Sequence, residues 1–153
     1  MSEWKLPWDG GCRCGGVRIR ITQPPLIAMA CHCTGCQTMS ASAFSLSLAI
    51  PIAGFAVVKG EPVVGGLHGD VTHNMCPHCM SWMFTGPFTQ AGFVNVRPTM
   101  LDDHAWFAPY VESFTSEKLA WASTGAAHSF ERFPDPSQYP ALIAEYASRG
   151  ARP

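Results

Sequence analysis

The sequence predicts a mainly β domain that ends in one short helix, and three observations point there. Glycine (14) and proline (13) are both frequent, so tight turns must be frequent too. Apolar residues alternate with polar ones over several short stretches, the period of a half-buried strand. A helical spacing of apolar residues is clear near the C-terminus and nowhere better. At 153 residues and 47% hydrophobic composition, the chain suits one domain with a real core and is short for two.

Taken in order, a short polar lead precedes Gly10-Gly-Cys-Arg-Cys-Gly-Gly16. Val17, Ile19 and Ile21 then alternate with Arg18, Arg20 and Thr22, which predicts the first strand. Pro24 and Pro25 break it, and a second strand is expected from Leu26 to Ala30, running into Cys31-His-Cys-Thr-Gly-Cys36. Phe44, Leu46, Leu48 and Ile50 alternate with serines and Ala49, giving a strand that stops at Pro51. A strand and turn are expected from Phe55 through Lys59 and Gly60-Glu-Pro. The segment from Gly66 to Met75 leads into Cys76-Pro-His-Cys79, and Trp82-Met-Phe84 returns as a strand. Phe93 to Arg97 is the last strand expected before Pro98. The helix candidate runs from Ser137 to Ser148, with Leu142, Ile143 and Tyr146 on one face, Ser137 as cap and Gly150 after it. No repeat or linker divides the chain. The expected organisation is one domain over 1–153, with a core over about 8–135 and the helix over about 137–149.

Charge excludes some partners. Only 14% of residues are charged, the formal net charge is −1, and the ten basic residues are scattered. Such a chain has no electrostatic footprint for nucleic acid or an anionic membrane. The N-terminal residues lack a basic-then-apolar signal pattern and no apolar stretch approaches a membrane span, so a cytoplasmic location is expected.

The seven cysteines carry the chemistry. Disulfides are uncommon in the cytosol, and an odd count at CxC and CxxC spacing fits a disulfide scaffold poorly. Zinc is the better explanation, because short turns can aim neighbouring thiolates at one tetrahedral ion. CxC works where residues i and i+2 of an extended segment point to one side. Gly15, Gly16 and Gly35 stand where a knuckle needs permissive backbone angles. Seven ligands divide as four, a closed structural site, and three, a site with an open fourth position. Spacing leaves the partition open: Cys33 and Cys36 could instead join Cys76 and Cys79 as a ribbon, leaving Cys12, Cys14 and Cys31. A histidine could close the second site; His32 is badly placed between its neighbours, while His68, His73, His104 and His128 remain available.

Gly11-Cys-Arg-Cys-Gly-Gly-Val17, Cys31-His-Cys-Thr-Gly-Cys-Gln37 with Ser40 and Phe44, and Cys76-Pro-His-Cys79 together resemble the glutathione-dependent formaldehyde-activating enzyme (GFA) family. Leu101-Asp-Asp103, Trp121 and Phe130 to Pro134 resemble its less distinctive tail. The resemblance implies a β-tent of antiparallel sheets stapled by zinc. It implies a structural zinc on Cys12, Cys14, Cys76 and Cys79, and a second, catalytic and labile zinc on Cys31, Cys33 and Cys36. It also implies a carbon–sulfur lyase acting on a thiol–aldehyde adduct such as S-hydroxymethylglutathione, with glutathione or another thiol as the small-molecule substrate. Two positions depart from the family: Met80 and Ala41 each stand where glycine is usual.

Other candidate residues have blander readings. Arg13, Lys59 and Arg97 could meet a substrate carboxylate but read first as solvated surface charges. His32 and His78 could bond second-shell groups or lie exposed in loops. Asp102 and Asp103 read as turn residues before they read as a base. Trp82, Phe84, Trp106 and Trp121 read as core before pocket. The alternative to an enzyme is a non-catalytic binding module stabilised by zinc.

Overall fold

A computed structural model describes residues 3–153, with the side chains of Leu67 and His68 outside the described set. Three strands, β1 (Trp8–Gly11), β2 (Arg18–Ile21) and, after an excursion, β5 (Phe55–Lys59), form a small antiparallel sheet in the order β1-β2-β5. The excursion holds β3 (Ile27–Cys31), helix α1 (Thr34–Ser40) and β4 (Ser45–Pro51). Next come β6 (Val63–His68), β7 (Val71–Met75), β8 (Trp82–Phe88), β9 (Phe93–Val96), β10 (Val111–Ser113) and β11 (His128–Ser129). The larger sheet runs β11-β10-β3-β4-β9-β8-β7-β6. Helix α2 (Tyr139–Arg149) closes the chain.

Burial explains why the alternating segments are strands. In β2, Ile19 and Ile21 are fully buried while Arg18 and Arg20 turn outward. Arg20 sits opposite Asp9 in the register, and its Nε donates to Asp9 Oδ1 at 2.7 Å. Leu48 and Ile50 of β4 and Val96 of β9 are likewise fully buried, with Leu48 opposite Val96. Each such side chain stabilises the fold by roughly 1.5–3 kcal/mol. One contiguous core draws on both sheets and on Leu142 and Tyr146 of α2. The α2 face is as expected, but Ser137 does not cap it: α2 starts without a side-chain cap, and Asp135 caps the turn that precedes it. That carboxylate accepts from Ser137 N, Gln138 Oε1 accepts from Asp135 N, and a 3-10 turn over Pro136–Gln138 leads into the helix.

The fold is mainly β with a short C-terminal helix, but the large sheet is mixed rather than purely antiparallel. β10 runs parallel to both β3 and β11. Its three residues are all buried, so no alternation marks it in the sequence. β1, reading Trp-Asp-Gly-Gly, has little strand propensity; all four of its residues pair with β2, and Gly10 also bridges Leu101. A Cβ on Gly10 would lie 2.3 Å from the Met100 carbonyl oxygen. No helix among the described residues is long and apolar enough to cross a membrane.

Candidate metal centres

Two cysteine groups converge, each with all sulfurs within 4.8 Å of one another: Cys12, Cys14, Cys76 and Cys79, and separately Cys31, Cys33 and Cys36. The first group joins the turn after β1 to the turn between β7 and β8. Cys12 and Cys14 lie on a tight turn, not the extended segment expected, closed by Gly15 N donating to Cys12 O at 3.0 Å. Gly15 takes φ +75 there, which glycine adopts without strain. Across from it, Met80 N donates to Cys76 O at 3.0 Å.

The sulfurs are spaced for a metal. Cys12 to Cys14 is 3.5 Å and Cys14 to Cys76 is 3.7 Å, close to the ~3.8 Å edge of a tetrahedron with zinc–sulfur bonds of about 2.3 Å. Backbone amides point at the sulfurs: Val17 N to Cys12, Gly16 N to Cys14, and His78 N and Cys79 N to Cys76, at 3.3–3.5 Å. Such donors favour the thiolate form. The Ser81 hydroxyl, 3.2 Å from Cys79 Sγ, is the main reason that thiol falls to about 5. Four convergent sulfurs with four amide donors fit a thiolate-bound metal.

The second group lies within six residues. Cys31 ends β3, and Cys33 caps α1, its sulfur accepting from Cys36 N at 3.3 Å. Contact with Cys36 lowers the Cys31 thiol to about 5, and the same contact pushes Cys36 far up. A metal would supply the positive charge that lets all three ionise. Among the described residues no histidine or carboxylate joins these sulfurs. Gly35, expected to relieve a knuckle, is an ordinary residue of α1.

Buried polar contacts hold this motif in place. His32 is fully buried, not an exposed loop residue, and its Nε2 lies 2.8 Å from Glu112 Oε2. Burial raises the Glu112 carboxyl, but hydrogen bonds from Ser129, His32 and Thr124 outweigh it and hold the group at about 2. An ionised carboxylate only accepts, so His32 carries its proton on Nε2. From α1, Gln37 Nε2 reaches the carbonyls of His32 and Glu117 at 2.8 and 3.0 Å. Ser40 Oγ donates to Cys36 O at 2.7 Å.

A cavity of about 400 Å³ is lined by Ser40, Ser45, Met80, Trp82 and Arg97 among others; the three cysteines are not in its lining, and Ser40 and Ser45 connect it to Cys36. The Ser45 hydroxyl contacts the Cys36 thiol. Arg97 corrects the surface-charge reading: it is 9% exposed, stacked 3.9 Å over Trp82, and burial lowers its pKa to about 10. The signal was present in its position, one residue past an alternating strand and directly before Pro98.

The remaining candidates fall elsewhere. Arg13 and Lys59 are exposed, and Lys59 Nζ donates to Gly15 O. His78 is exposed beside the four-cysteine group. Asp102 pairs with Arg18, and the Asp103 carbonyl accepts from Trp106 Nε1. His73 contacts Thr85, His104 the Leu101 carbonyl and His128 Glu145. His68 lies outside the described side chains. Phe84 is core and Trp106 packs against the core, whereas Trp121, expected there, is 76% exposed.

The family model described as glutathione-dependent formaldehyde-activating enzyme matches residues 7–117, a span that holds all seven cysteines. A crystal structure of a Rhodobacter sphaeroides protein is similar at a TM-score of 0.51 and 19% identity, covering 61% of this chain and 87% of that one. At that identity the likeness bears on fold alone. No curated protein matches the chain. With the match spanning most of the sequence, the chain belongs to the glutathione-dependent formaldehyde-activating enzyme family.

Proposed function

We propose that this chain is a single-domain cytoplasmic zinc enzyme that makes or breaks the carbon–sulfur bond of a thiol–aldehyde adduct of the S-hydroxymethylglutathione type. The observation that carries this reading is the group Cys31, Cys33 and Cys36: three convergent sulfurs, no fourth ligand among the described residues, and a cavity alongside. In this reading Cys12, Cys14, Cys76 and Cys79 hold a structural zinc, and the three-cysteine group holds the catalytic one. A zinc held by three thiolates supplies one open coordination position that stabilises a thiolate near neutral pH.

The chain's own residues then position the reactants. In the lyase direction the adduct's hydroxyl proton passes to water, the C–S bond breaks with its electron pair going to sulfur, and the carbonyl forms. In the other direction the thiolate attacks the aldehyde carbon, and the alkoxide takes a proton from water. Ser45 and Ser40 border Cys36 where the adduct enters, and the His32–Glu112 pair fixes the backbone that presents Cys31 and Cys33. Arg97 puts a permanent positive charge beside a site whose formal charge with zinc is −1.

The test is zinc per chain on freshly purified protein, with thiol-dependent formaldehyde consumption measured in parallel. Two zinc ions and consumption are expected in the wild type. Cys33→Ser should retain one zinc and a cooperative unfolding transition while losing turnover. Full turnover in that variant sinks the mechanism, and one tight zinc without turnover in the wild type leaves a binding module.

A further inference from the structure

The cavity beside Cys36 has an unusual charge balance. Among the described residues that line it, Arg97 is the only ionised one and none is a carboxylate. Of the five guanidinium N–H donors, one on Nη1 goes to the Leu46 carbonyl and one on Nη2 to Thr85 Oγ1, at 2.9 and 2.7 Å. Its Nε has no partner, and no described carboxylate pairs with it. Each terminal nitrogen therefore keeps an N–H to offer an anion.

The rest of the wall carries no charge: hydroxyls of Ser40, Ser42, Ser45 and Thr99 stand beside apolar surface. Phe44, Met39, Met75 and Trp82 contribute thioether and ring surface. Met80 adds another thioether while holding a left-handed backbone, φ +57. That conformation costs a non-glycine residue roughly 1–2 kcal/mol. Glycine, usual at this position in the family it resembled by sequence, would relieve the strain but leave the wall open. Strain of this kind persists at ligand sites where the side chain is needed.

We infer that this cavity selects a small thiol bearing one carboxylate on an apolar body, with Arg97 binding the carboxylate and Met80 excluding bulk, in preference to a zwitterionic tripeptide. The inference rests on the proposed reading of Cys31, Cys33 and Cys36 as a metal site open to a thiol. A glutathione-like zwitterion carries two carboxylates and an ammonium, and the cavity offers a partner to one carboxylate alone. The second carboxylate and the ammonium find no counter-charge among the described lining residues.

The experiment is titration of the cobalt(II)-substituted protein, read by its sulfur-to-cobalt absorption, with 3-mercaptopropionate, its neutral methyl ester, and glutathione. The acid should bind at least about tenfold more tightly than the ester, one unsolvated charge-assisted contact of ~1.4 kcal/mol or more, and more tightly than glutathione. Arg97→Gln should erase the preference for acid over ester. Met80→Gly should narrow the gap between the acid and glutathione. Because Arg97 is buried and its variant can fail to fold, the acid–ester comparison on wild-type protein stands by itself. Equal affinity for acid and ester, or tighter binding of glutathione, overturns the inference while leaving the metal reading intact. Absorption that no thiol perturbs overturns both.

Discussion

Met80 directly follows the Cys76–Cys79 motif and Ala41 lies five residues beyond Cys36, both with left-handed backbone angles, φ +57 and φ +50. Both are the positions at which the chain departs from its family's usual glycine, so the departures fall where a side chain costs most. Met80 gains a place in the cavity wall, whereas Ala41, the C-cap of α1, is exposed and lines only a shallow surface depression. Ala41→Gly should therefore raise stability by about 0.5–1 kcal/mol, visible as a higher urea midpoint at unchanged m-value. Glu112 offers a test of opposite sign. Its three charge-assisted contacts should make Glu112→Gln destabilising by about 1–3 kcal/mol at neutral pH. The carboxyl lies at about 2 in the fold against an ordinary 4.5, so its stabilisation is complete above about 4.5 and is lost as pH falls toward 2. Urea midpoints of wild type and variant should converge over that interval; a constant gap would show that the charge is irrelevant.

Elements whose stability comes from one buried face were legible in the sequence: β2, β4, β5, β9 and α2 each announce themselves through periodicity. Those made by tertiary contact were not. β10 is buried on both faces, β1 is held by pairing with β2 and by the Gly10–Leu101 bridge, and β6 and β7 form a hairpin in a segment whose valines and glycines show no alternation. Helix α1 has no buried residue, and it exists because Cys33 caps it and Gln37 ties it to neighbouring carbonyls. Cysteine spacing pointed to metal but left the grouping open, and the family resemblance implied the two groups that the structure brings together; the cavity was invisible, since Arg97 and Met80 look like a surface cation and a turn residue until the strands are paired. Within α2, Tyr146 is fully buried and its hydroxyl has no partner among the described residues. Tyr146→Phe should be neutral or stabilising by up to about 1 kcal/mol, while Tyr146→Ala should cost about 3–5 kcal/mol, both read from denaturant curves.

At the scale of the whole molecule, the four-cysteine group bridges the turn that leads into β2 of the small sheet and the turn that leads into β8 of the large one. Removing metal with a strong chelator should lower Tm and strip hydrogen-exchange protection from β1, β2 and β5 before the centre of the large sheet, β3, β4 and β9. Uniform loss of protection would show that the core alone couples the sheets. The two groups also differ in how far apart their members lie along the chain. Cys31, Cys33 and Cys36 are neighbours, whereas Cys14 and Cys76 are separated by 62 positions. A growing polypeptide can thus gather the first trio as soon as one short stretch leaves the ribosome, but the quartet waits until Cys79 has been made. On the proposed metal reading, ion capture at the quartet is a timestamp of folding, and ion supply during synthesis sets the yield of native protein.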